Sequence, residues 1–206
     1  GVVNAIDHRI PTEKVDGIIG RAETRFGGAD STRNAAAVID IGNGLFAIHG
    51  DVYNRKSSDL DIPGFAVSRR KNEADGTPRE NKGKLVNSSA EADGGALGAS
   101  LTFDKGYIGL SYSVLDSNYG VVAEEDVRID MNSERWELAS EFKDLGNIVN
   151  RVKFRMAHTD YEHKELEGIE VGTTFTNRGL EGSLELGHSN IGPVQGVLGY
   201  QFSNTN

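Results

Sequence analysis

Apolar and polar residues alternate one by one along most of this chain, and a period of two is the signature of a β-strand rather than a helix. From Tyr107 to Leu115, Ile108, Leu110, Tyr112 and Val114 fall on one face, and Gly109, Ser111 and Ser113 on the other. Val152, Phe154 and Met156 alternate with Arg151, Lys153 and Arg155. Leu180, Leu184 and Leu186 alternate with Glu181, Ser183 and Glu185, and Val194, Leu198, Tyr200 and Phe202 with Gln195, Gly199 and Gln201. Leu97, Ala99, Leu101 and Phe103 oppose Gly98, Ser100 and Thr102, while Phe46, Ile48 and Val52 oppose Ala47, His49 and Asp51. A chain patterned this way must bury one face of a sheet and leave the other to a different environment.

The pattern predicts about nine strands, near 18–28, 32–42, 44–56, 93–104, 106–119, 126–143, 148–163, 173–188 and 193–203. Between Met131 and Trp136 the apolar positions pass from odd to even numbers, which predicts a bulge or an irregular strand end there. Short turn-like connections at 42–44, 104–106, 144–147 and 189–192 alternate with longer ones at 57–92, 120–126 and 164–172. The connection at 27–31 is the one short member of the second set. Such asymmetry is that of an outer-membrane barrel, with short turns on the periplasmic side and long loops outside. The charged stretch 57–92, with Arg69-Arg70-Lys71, Pro78 and several Ser and Asn, is expected to be disordered in isolation.

Hydrophobic residues make up 37% of the chain and the mean hydropathy is -0.43, with no apolar run long enough for a membrane helix. A membrane β-barrel shows the same low average, because lipid-facing and lumen-facing residues alternate. The net charge of -9 disfavours nucleic acid as a partner. The absence of cysteine excludes disulfides and thiolate metal sites. A first residue of Gly1 and the lack of an export signal are expected to reflect a truncated sequence.

Alternation alone does not say whether the apolar face meets lipid or a protein core. A soluble β-barrel binding a small apolar ligand carries the same pattern turned inside out. Phe26, Phe103, Phe142 and Phe202 fall near strand ends, as in the aromatic girdles of membrane barrels. A passive porin-like channel is a third reading.

Gly1-Val2-Val3-Asn4-Ala5-Ile6-Asp7 resembles the segment that closes the plug domain of TonB-dependent outer-membrane receptors, and Arg9-Ile10-Pro11 resembles the plug-to-barrel link of one subgroup. Further matches to that subgroup are Asp61-Ile62-Pro63-Gly64-Phe65, the run Gly94 to Ser100, Gly106-Tyr107-Ile108-Gly109 and Asp116-Ser117-Asn118-Tyr119-Gly120. The clearest is Thr159-Asp160-Tyr161-Glu162-His163 followed by Glu165 to Gly168 and Glu170 to Asn177. The subgroup includes receptors linked to zinc uptake. The resemblance implies an all-β chain: an antiparallel up-and-down meander forming part of a transmembrane barrel of about 22 strands. Residues 1–14 would end the plug and link it to the barrel, and 15–206 would form the N-terminal, incomplete portion of the wall. It further implies active uptake of a scarce nutrient, such as zinc or a metal chelate, with outer-membrane lipid and the TonB complex as partners. About nine strands would leave two open edges in lipid, so the segment by itself is expected neither to transport nor to insert stably.

Zinc-linked members often carry a His-rich insertion after the fifth strand; here that loop holds only Glu124, Glu125 and Asp126. Together with His163, which has Glu162, Glu165, Glu167 and Glu170 nearby in sequence, these carboxylates are the candidate metal ligands, as a cation-attracting vestibule. His49 beside Asp51 is expected to make a structural hydrogen bond, and His158 and His188 to be interfacial. Arg21, Glu23, Arg25, Arg151, Lys153 and Arg155 are expected to line the polar face as structural charges. No cofactor is implied, and no constellation of nucleophile and base stands out, so an enzyme is not expected.

Overall fold

The computed structural model describes residues 7–206, so the plug-like motif, Asp7 apart, lies outside the described residues. Nine strands form one antiparallel sheet: β1 (Asp16–Gly27), β2 (Thr32–Asn43), β3 (Phe46–Ser57), β6 (Ala90–Phe103), β7 (Gly106–Gly120), β8 (Val127–Lys143), β9 (Val149–Glu167), β10 (Glu170–Ile191) and β11 (Val194–Thr205). They pair in chain order, the up-and-down meander that the alternation predicts. Between β3 and β6 lie two further strands, β4 (Leu60–Phe65) and β5 (Lys82–Leu85), which pair with each other around the short helix α1 (Arg69–Asp75).

Stretch 57–92 is therefore not the disordered loop expected from its composition. Its order comes from polar rivets that composition does not reveal. The Ser68 side chain caps α1, and Gly76 ends it in the left-handed conformation. Asp59 accepts from the backbone N–H groups of Ser88 and Ser89, both at 3.0 Å. Asn87 donates to the carbonyls of Val121, Glu124 and Val127 at 3.2, 2.9 and 2.6 Å, tying this excursion to the connection between β7 and β8.

Two other expectations change. The proposed 164–172 loop is a tight turn, because β9 and β10 continue as a ladder up to the Glu167–Glu170 pair, with Gly168 at φ 63. The expected bulge in β8 is absent: its register with β7 and with β9 runs unbroken. The odd-to-even change of apolar positions has another cause. Trp136 and Leu138 lie on one face within the apolar band, whereas Ile129 and Met131 lie on the opposite face beyond it.

The register assigns every strand residue to one of two faces. On one, large apolar residues stand uncovered, among them Ile18, Ile39, Ile41, Ile48, Leu97 (68% exposed), Leu101, Ile108, Leu110 and Trp136 (49%). Phe103 and Phe142 stack at 5.8 Å beside the short turns, and Tyr112 and Trp136 meet at 4.7 Å farther along the strands. On β7 these limits enclose seven residues, Gly106 to Tyr112, and Val114 on the same face carries the apolar stretch to nine, the length with which a tilted strand crosses a bilayer. Beyond them the same face turns polar, with Asp93, Asp116, Asn132 and Glu162.

The opposite face is small and polar: Ala96, Gly98, Ser100 and Thr102 on β6, and Gly109, Ser111 and Ser113 on β7. It is also the covered one, since residues 8–14 lie across it. Ile10 (7% exposed) packs with Tyr107 (4%) and Ala139, and Pro11 is fully buried. A soluble barrel would put its large apolar residues on the covered face. This chain does the reverse.

Candidate functional site: the inner wall and its outer mouth

The covered face, called inner here, carries three zones that follow from the cross-strand register. Nearest the short turns is the slot for the N-terminal segment. A methyl group at Gly98 would collide with the backbone carbonyl of Arg9, and one at Gly109 with the Ile10 side chain, so both positions must lack a Cβ for the segment to lie flat. The segment is pinned where it leaves the slot: Lys14 Nζ donates to Asp104 at 2.5 Å, and the Gly44 N–H to the Val15 carbonyl at 2.7 Å.

The Lys14 ammonium holds the Asp104 carboxyl below the usual carboxylate range, mainly through the hydrogen bond and then through its charge. A lowered folded-state pKa contributes stability present above the ordinary aspartate value and lost as pH falls through the lowered one. Tryptic cleavage after Lys14 should thus be slow at neutral pH. After brief exposure to acid below that range and assay with an acid-active protease, cleavage in the 12–15 region should rise. An Asp104→Asn variant should show the raised cleavage already at neutral pH and no acid dependence. Unchanged cleavage in that variant would deny the pin its role.

Beside the slot is an ion-pair belt across β8–β10. Arg135 bonds Glu181 at 2.7 Å and lies 3.7 Å from Glu137, while Arg151 lies between Glu141 and Glu185 at 3.9 and 3.7 Å. An open cavity of about 500 Å³ is lined here by Arg135, Glu137, Arg155, Glu181, Ser183 and Gln201. On the other side of the slot, His49 (3% exposed) is held between Asp40 at 2.8 Å and Asp51 at 3.0 Å. The expected structural hydrogen bond is therefore double. Arg21, Glu23 and Arg25 share the inner face too, and Arg25 pairs with Glu23.

The third zone is the outer mouth, where the candidate metal ligands divide. Glu124, Glu125 and Asp126 sit in the 121–126 connection. Glu125 accepts from Asn81 at 2.7 Å, and the Asp126 carbonyl accepts from the Gly168 N–H at 2.9 Å. His163 lies on β9 opposite Met131, four register pairs down from Val127. At the ordinary strand rise that is about 13 Å along the sheet. Glu162 faces the other way and pairs with Lys164 at 2.9 Å. The structure does not bring His163 together with the three carboxylates. Among the described residues no group of three or more His, Asp or Glu side chains is placed to hold a metal ion.

What surrounds His163 is instead aromatic and soft. Its Nδ1 is 2.8 Å from the Tyr161 hydroxyl, and its ring lies 4.6 Å from that of Phe175. Sequence reading missed this group because its members come from two strands, β9 and β10, and only the register sets Phe175 beside His163. His158 lies on the outer face, 3.0 Å from Asp160, and His188 stands beside the last short turn.

No family model matches the chain. Among solved structures, the copper transporter OprC superposes with a TM-score of 0.71 at 14% identity, covering 94% of this chain and 29% of that one. A loop L8 deletion mutant of OmpT, an outer membrane protein of Vibrio cholerae, superposes at 0.49 with 12% identity, covering 95% and 56%. The first likeness shows the fold: the sheet is an arc of the kind of wall found in outer-membrane β-barrels. The chain spans less than a third of the length of OprC.

Proposed function

We propose that this chain forms part of the barrel wall of a receptor in the outer membrane of a Gram-negative bacterium. The receptor actively takes up a scarce nutrient, a metal ion such as zinc or a metal chelate, with energy delivered by TonB. One observation carries the reading. The large apolar residues stand on the uncovered face, while the N-terminal segment runs along the small, polar one. Lipid is the solvent that accepts the first face, and a segment crossing the lumen explains the second. The outer-membrane lipid is thus one partner, and the TonB complex, reached through a plug, is the other. The motif resemblance and the fold shared with a copper transporter support metal as cargo. The role is transport and not catalysis.

The test is accumulation of radiolabelled zinc and copper by cells producing the intact receptor, with and without a working TonB. Uptake that requires both the receptor and TonB is the expected result. Uptake indifferent to TonB would make the protein a passive channel, and no receptor-dependent uptake of either metal would overturn metal as cargo.

A further inference from the structure

The register places Met131 on β8 directly opposite His163 on β9, on the inner face, with Phe175 of β10 next in the same row. Directly opposed residues have Cβ atoms about 5 Å apart, within the reach of a thioether and an imidazole that share one ion. We propose that Met131 and His163 form a site for a thiophilic monovalent metal ion, copper(I) or silver(I), at the outer mouth of the wall. The proposal rests on the transport reading only for its purpose, since it names the class of metal that the mouth would collect.

Three observations support the pair. The chain has two methionines, and they lie on opposite faces: Met156 in the outer apolar band and Met131 on the inner face. Met131 is half-buried, as is His163, so both are open to an arriving ion. The imidazole is oriented before any ion comes. In the tautomer that carries its proton on Nδ1, that N–H donates to the Tyr161 oxygen 2.8 Å away and the Nε2 lone pair is left free, the arrangement that second-shell partners impose on metal-binding histidines. Phe175 backs the ring and limits its rotation.

The donor set selects the metal. Thioether sulfur favours copper(I) over harder ions, and a monovalent d¹⁰ ion accepts two ligands where zinc asks for four. Glu162, the acid next to His163 in sequence, projects from the opposite face and is paired with Lys164, so it does not complete a zinc site. Glu165 lies on the inner face one row nearer the rim, opposite Ile129 and Thr173.

The experiment titrates silver(I), which does not change oxidation state here, into the 206-residue chain folded in detergent micelles. Calorimetry gives affinity, and the imidazole resonances of labelled histidine report the ligand. One equivalent should bind with a shift of the His163 signal. Met131→Leu and His163→Ala should each weaken binding at least tenfold, and Tyr161→Phe by roughly tenfold through loss of the orienting partner. Met156→Leu and His158→Ala should leave it unchanged, and far-UV circular dichroism checks that every variant keeps its β-structure. Silver affinity unaffected by Met131→Leu, or zinc binding at the same site as tightly as silver, would overturn the proposal. Binding to the isolated chain requires no transport. If cells accumulate no metal while silver still binds, the transport reading falls alone; the converse result removes only this site.

Discussion

Replacing Leu97 with arginine should destabilise the detergent-folded chain by about 2–4 kcal/mol, the cost of a cation on a barrel's lipid face near mid-membrane. Leu97 lies on the uncovered face of β6, opposite Gly50 and Tyr112, with no charged residue directly across either ladder. The protein supplies its own probe, because Trp136 is the sole tryptophan and stands half-exposed on the same face. In brominated detergent its emission should be strongly quenched, and urea should release that quenching at a lower concentration in the variant. Serine at Leu97 would give a smaller shift. If bromine fails to quench Trp136 in the folded protein, the apolar face does not meet the hydrophobic phase, and the membrane reading fails with it.

The second large effect is expected at Gly98. A side chain there must displace the backbone of Arg9, and backbone in a slot cannot yield as the end of a flexible side chain can. Gly98→Val should therefore lift residues 8–14 from the wall and expose Ile10 and Pro11. Losing the burial of two such side chains costs about 2–4 kcal/mol. The measurement is limited trypsin digestion followed by mass spectrometry. Cleavage after Arg9 and Lys14 should become fast, while the strands keep their protection. Gly199→Val serves as the comparison, since nothing lies within 4 Å of a methyl group built at that glycine. Equal cleavage in the two variants would show that the slot does not hold the segment.

These predictions differ in where their grounds lie. Leu97 is marked in the sequence itself by its alternation with Gly98, whereas the slot is not. Gly98 and Gly109 read as ordinary small residues in strands until the structure lays the Arg9 backbone and the Ile10 side chain on them. The order of 57–92 was hidden for a similar reason. Its stability comes from Asp59 and Asn87 reaching backbone groups elsewhere in the chain, and a local reading counts such residues only as polar. The vestibule of Glu124, Glu125, Asp126 and His163 suffered the opposite fault. Both groups were read as lying at outer loops, but the register sets His163 four pairs down the strand from Val127, about 13 Å along the sheet.

By itself, the sequence determined the strand period, the two-faced character of the sheet and the chain order of its pairing. These are local: a side-chain period of two and turns of a few residues leave neighbouring strands little choice but to pair. Which face lies inside was a different matter, because alternation is unchanged when a sheet is turned over. Only the tertiary structure decided it, by laying the N-terminal segment on the polar face and leaving the apolar one uncovered. The same holds for the row of Met131, His163 and Phe175. Its members lie 32 and 12 residues apart along the chain, and only the registers of β8, β9 and β10 bring them side by side.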